Sequence, residues 1–201
     1  MSQIPISPSL SVSTTTTPSS GSAARFSITS SSTDTDVIAT LRKTTEDFFL
    51  GQADTAIKSG IPYGAFIILT ASIHFLAGAM QGANQQINGH EFKAYCTTYL
   101  PTYDAEQLWK GLRNGLFHRG TPNPNNIVAT VDNIVLVAGQ SDKHDTNGAK
   151  GIFTHCVTLN AEDFLIDIRK SSEDFWADAL KNPDLMNKCR SVHDVSRPIK
   201  F

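Results

Sequence analysis

Between Pro62 and Gln81 the chain carries no charged side chain, and Ala65, Phe66, Ile67, Ile68, Leu69, Ala71, Ile73, Phe75 and Leu76 leave almost no polar side to a helix built from it. A helix that is apolar all round has to be covered all round, by lipid or by neighbouring helices. The apolar run from Ile61 to Ala79 holds Thr70, Ser72 and His74 in its midst. It therefore reads as the central core helix of a soluble protein, not as a membrane span. The rest of the chain must supply the helices that cover it.

Candidates for those helices lie on both sides. An acidic residue, Asp34 or Asp36, can cap a first helix whose stripe of Val37, Leu41, Thr44, Phe48 and Ala53, with Ile38 and Phe49 alongside, runs to about Lys58. Ser59-Gly60-Ile61-Pro62 ends it. After the apolar helix and a polar loop, His90 to Leu100 reads as a shorter helix stopped by Pro101, and Asp104 to Gly120 as a fourth, with Asp104 or Thr102 as cap. The period then changes from 3.6 to 2. Ile127 to Val131 and Ile134 to Ala138 flank Asp132-Asn133, a two-residue hairpin signal, and Gly151 to Leu159 reads as a third strand. Asn160 caps a last long helix striped by Ala161, Phe164, Leu165, Ile168, Phe175, Trp176 and Leu180, with one short helix after Asn182-Pro183. The expected fold is mainly α: a helical bundle with a small antiparallel sheet inserted between its fourth and fifth helices, one domain over residues 34–201.

Residues 1–33 are rich in Ser and Thr and too poor in apolar side chains to offset the entropy of ordering, so disorder is expected there. Three well-separated cysteines, Cys96, Cys156 and Cys189, imply a reducing compartment without disulfides. With no basic-then-apolar leader, the expected location is the cytoplasm. A formal net charge of −2 gives no global nucleic-acid footprint, so such a partner would need a local basic patch.

The fourth helix, DAEQLWKGLRNGLFHRG, is where such a patch exists. With Arg113 as zero, Leu108, Leu112, Leu116 and Trp109 fall at roughly 220°, 260°, 300° and 320°, an apolar arc. Arg113, Glu106, Lys110, Asn114, Gln107 and His118 fall at roughly 0°, 20°, 60°, 100°, 120° and 140°. Gly111 and Gly115 lie between these arcs and would permit close approach of another helix.

The run LWKGLRNGLFH resembles the HEPN superfamily (higher eukaryotes and prokaryotes nucleotide-binding), whose signature is an Arg, a polar residue, and a His four to six residues beyond the Arg. Arg113, Asn114 and His118 match it with four intervening residues. The order of a long first helix, an apolar second and the motif near the end of a later one is similar too. The likeness covers residues 36–180 as a pattern and six residues as a motif. It implies a homodimer in which two motifs meet and cleave RNA without metal, as a toxin or defence effector countered by an antitoxin or partner protein. His118 would move the protons of 2′-hydroxyl attack and Arg113 would fork onto the phosphate. Asn114 would orient His118 or donate to the phosphate, and Lys110 and Arg119 would hold the RNA backbone.

Blander readings stand beside this one. Arg113 can be a solvated helix residue or a partner of Glu106, and a histidine near a helix C-terminus is favoured by the macrodipole without any chemistry. The same fold can be a non-catalytic module that binds a partner protein or nucleotide, or the Arg–His spacing can be an accident of an unrelated helical domain. His74, on an apolar helix, reads as a satisfied core histidine. No cofactor or metal is expected. His74, His90, His144, His155 and His193 lack zinc-site spacing, and no phosphate-binding glycine loop, nucleophile elbow or cysteine-protease signature occurs.

Overall fold

In the computed structural model the described residues are 32–83, 86–118, 127–131, 134–139 and 157–194. The expectation of disorder falls outside them as far as residue 31. Helix α1 (Asp34–Thr45) is opened by Thr33: its hydroxyl accepts from the Asp36 N–H, and the Asp36 carboxylate accepts from the Thr33 N–H. α1 runs through a π-helical segment (Glu46–Leu50) into α2 (Gly51–Lys58), with Thr45 and Gly51 both in the right-handed helical region. The three pieces form one rod. The wider π turn changes which side chains face inward. Val37, Ile38, Leu41 and Thr45 are buried at helical spacing, and the next buried positions are Leu50, five residues on, and Ala53. Phe48, assigned to the inner stripe by a strict 3.6 period, is 71% exposed.

Gly60, at φ 73°, turns the chain out of α2, and Pro62 opens α3 (Pro62–Gln81), where its missing N–H costs nothing. α3 packs against α2, α4 (Gly89–Tyr99), α7 (Ala161–Lys181) and α8 (Pro183–Asp194). Ala65, Phe66, Leu69, Ile73, Leu76, Ala77 and Ala79 are all fully buried. The buried hydroxyls of Thr70 and Ser72 donate to the Phe66 and Leu69 carbonyls of the same helix, so they need no outside partner. By length and composition α3 would also serve to cross a membrane; here other helices of the chain cover it. α7 is tied to the first rod by Arg42–Glu173 (2.7 Å) and Arg169–Glu46 (2.9 Å). α8 is a full twelve-residue helix that buries Met186 and Cys189.

Between the helix that ends at His118 and α7 lies a small sheet in the order β1 (Ile127–Val131), β2 (Ile134–Val137), β3 (Val157–Asn160). β1 and β2 pair antiparallel, with an irregularity between Ile127 and Ala129. β2 and β3 pair parallel, Ile134 opposite Val157 and Val137 opposite Asn160, which corrects the expectation of an antiparallel third strand. Residues 138–156 are long enough for the crossover that a parallel neighbour requires. The end of β3 is locked where α7 begins. Asn160 accepts from the N–H groups of Glu162 and Asp163, and its amide donates to the Gly139 carbonyl at 2.9 Å. The turn residues Asp132-Asn133, and residues 151–156 of the expected third strand, lie outside the described residues.

Covering α3 buries a large share of the core side chains. Leu69→Ala is expected to cost about 3 kcal/mol in urea unfolding, within the range for a fully buried leucine. Phe48→Ala should change stability by no more than about 0.5 kcal/mol. Equal costs would contradict the inward and outward assignment of the first rod.

Candidate functional site

The second rod begins where Asp104 accepts from the Gln107 N–H at 2.9 Å. It comprises α5 (Ala105–Gln107), a second π-helical segment (Leu108–Asn114) and α6 (Gly115–His118). Leu108, Leu112 and Leu116 are buried, as the apolar arc requires. Gly111 and Gly115 are buried as well. From α3, the Tyr63 hydroxyl donates to the Leu116 carbonyl at 2.9 Å, satisfying one acceptor near the helix end.

Arg113 and Asn114 both lie in the π segment, and the structure brings them together. The Arg113 guanidinium sits 4.8 Å from the centre of the Trp109 ring, and one of its nitrogens donates to Asn114 Oδ1 at 2.9 Å. Trp109 in turn packs on Phe92 of α4, ring centres 5.3 Å apart. Its indole lies against the first residue of α4, Gly89: a Cβ there would come within 2.6 Å of Trp109 Nε1. Only glycine fits. The Asn88 capping box holds that helix start in place, with His90 N–H donating to Asn88 Oδ1 and Glu91 accepting from Asn88 N–H. The order of support is therefore Gly89, Trp109, Arg113, Asn114. The helical wheel places Trp109 with the buried leucines; in the structure it is a half-buried platform for a cation. The legible signal was the i,i+4 spacing of Trp109 and Arg113.

The other expected site residues divide. Lys110 pairs with Glu106 at 2.8 Å, and Glu106 also takes Lys93 of α4 at 2.6 Å. Hydrogen bonds from these two lysines hold the Glu106 carboxyl down at about 2, and Glu106 raises the Lys110 pKa. Glu106 is thus matched to lysines, not to Arg113. The Lys110 pair is exposed and screened by salt, so a phosphate can compete for that lysine. His118 is the last residue of α6; its side chain, and all of Arg119, lie outside the described residues.

His74 of α3 is half-buried and, among the described residues, makes no hydrogen bond, so it is not the satisfied core histidine expected. Burial first, and the Arg113 charge second, hold its pKa below the ordinary 6.5. Among the described residues no cluster of three or more His, Cys, Asp or Glu could hold a metal. Burial pushes the Cys96 and Cys189 thiols up to about 12, which makes them poor nucleophiles.

Family models, curated proteins and solved structures were all compared with the chain, and none matches it.

Two predictions follow from this geometry. Gly89→Ala should cost roughly 1–3 kcal/mol by overpacking, and in a Trp176→Phe background it should shift the emission of the displaced Trp109 indole. Unchanged stability and emission would refute the platform. A His74 pKa lower in the folded state than in the unfolded state means that the unfolded chain binds the proton more readily. Stability supplied by neutral His74 is therefore present above pH 6.5 and lost as pH falls through the folded value. Urea midpoints measured from pH 7.5 to 5 should fall less steeply for His74→Gln than for wild type.

Proposed function

We propose that the chain is a HEPN-like helical bundle and a metal-independent endoribonuclease, working as a cytoplasmic homodimer in a toxin or defence role. The observation that carries the reading is Arg113, stacked on Trp109 and bonded to Asn114 in a π-helical segment, in a rod that ends at His118. π segments are often found at functional sites, and an oriented guanidinium suits a phosphate that gains charge in the transition state. Arg113 binds the scissile phosphate, Asn114 fixes the guanidinium, and His118 transfers protons in 2′-hydroxyl attack. Lys110 and Arg119 hold the backbone of the RNA. The products are a 2′,3′-cyclic phosphate and a 5′-hydroxyl.

A second reading, a non-catalytic HEPN-like module for a partner protein or nucleotide, is favoured by two observations. Lys110 is already matched to Glu106, and Gly111 and Gly115 are buried within the protomer instead of facing a partner. Incubation of mixed RNA with the protein in EDTA separates the two. The nuclease reading expects cleavage that falls about 100-fold or more in Arg113→Ala and His118→Ala, in line with loss of an electrostatic or acid–base group. Intact RNA, or equal cutting by both variants, would leave the binding module.

A further inference from the structure

We propose that Lys93 of α4 belongs to the phosphate-binding surface of this site, and that the Glu106 carboxylate it shares with Lys110 holds the place of a backbone phosphate until RNA displaces it. The proposal rests on the reading of the second rod as a surface that meets RNA, and on no catalytic step.

Two lysines from different helices converge on one carboxylate. Lys93 donates to Glu106 Oε2 at 2.6 Å, and Lys110 pairs with Glu106 Oε1 at 2.8 Å. Other described lysine pairs, Lys43–Asp47, Lys58–Asp54 and Lys170–Asp174, form within one rod or helix, one lysine to one carboxylate. Packing sets the convergence at Glu106. α4 lies along α5 and the π segment of the second rod. Phe92, the residue before Lys93, packs on Trp109, the residue before Lys110. Arg113 stacks on the same Trp109 ring. Three cations are thus carried by residues that stack on or flank one aromatic pair, and Glu106 supplies one charge against them. Glu91, the acidic residue of α4, is turned into the helix cap, where it accepts from the Asn88 N–H at 3.0 Å.

A carboxylate and a phosphodiester make the same demand on such a place: one negative charge, shared by two oxygens that accept hydrogen bonds. The side chains are 35% exposed at Lys93, 46% at Glu106 and 69% at Lys110. Water and salt therefore screen both pairs, and each is weakly held. Glu106 can turn into solvent at little cost. A strand of RNA brings several phosphates at once and releases its condensed counterions as lysines replace them. In the empty protein Glu106 keeps the two ammonium groups directed at one point, which lowers the side-chain entropy lost on binding.

The test is fluorescence anisotropy of the full-length protein with a labelled, single-stranded 2′-O-methyl oligoribonucleotide, which has no hydroxyl to attack, over a range of salt. Lys93→Gln should weaken binding about threefold to fivefold. It should also make the slope of log affinity against log salt shallower by about 0.7, the share of one single-strand phosphate contact. Lys110→Gln should do the same. Glu106→Gln removes the competing charge and should tighten binding by a similar factor. The same changes of charge in a one-to-one pair of the first rod, Lys43→Gln and Asp47→Asn, should leave affinity and slope as in wild type, and urea unfolding checks that every variant is folded.

Equal responses at the two pairs, or a Glu106→Gln variant that binds no more tightly than wild type, would overturn the proposal; RNA still cut in EDTA would then leave the nuclease reading standing. The expected pattern of binding together with uncut RNA would support the phosphate surface and remove the nuclease. A wild-type protein that neither binds the oligonucleotide nor cuts RNA would overturn both.

Discussion

A helix with apolar residues on every side has little to give to solvent, so the helices packed against α3 are placed by the need to cover it. α2, α4, α7 and α8 all lie against it, and the second rod reaches it through the Tyr63–Leu116 bond. Thr70 and Ser72 turn their hydroxyls back on α3 itself, so the helix enters the core without an unpaired side-chain oxygen. His74 is the exception, being a titratable group on the same helix with no such internal partner.

The two π segments are where the covering helices adjust. In the first rod the insertion shifts the buried face from Thr45 to Leu50 and leaves Phe48 outside. In the second it accompanies the turn that stacks Arg113 over Trp109. A π turn costs hydrogen-bond geometry, and it persists where tertiary packing compensates. In the second rod the compensation includes a cation–π contact, a side-chain hydrogen bond and the floor that Gly89 leaves open. Arg113 is consequently an oriented group and not a solvated charge, and that orientation is what any phosphate chemistry at this place would use.

Much of this was legible in the chain. The apolar helix, the Asn160 cap and the burial of Leu108, Leu112 and Leu116 follow from periodicity and capping chemistry, which are local. Three features were not. The π insertions leave no mark in composition, because packing across helices decides them. The parallel pairing of β3 with β2 depends on the route of residues 138–156, and a strand's own alternation is blind to its direction. Trp109 lay at the edge of the wheel's apolar arc, where a straight 3.6 period cannot separate core from platform.

The central claim is that Arg113 acts as a stacked, planar fork and not merely as a positive charge. Arg113→Lys keeps the charge and loses the fork and much of the stacking on Trp109. The decisive measurement is single-turnover RNA cleavage in EDTA by wild type and Arg113→Lys, with the chemistry of the new ends determined. Wild type is expected to leave 2′,3′-cyclic phosphate ends, and the lysine variant to react at least about 100-fold more slowly. Equal rates in the two proteins, or RNA left intact by wild type, would contradict it.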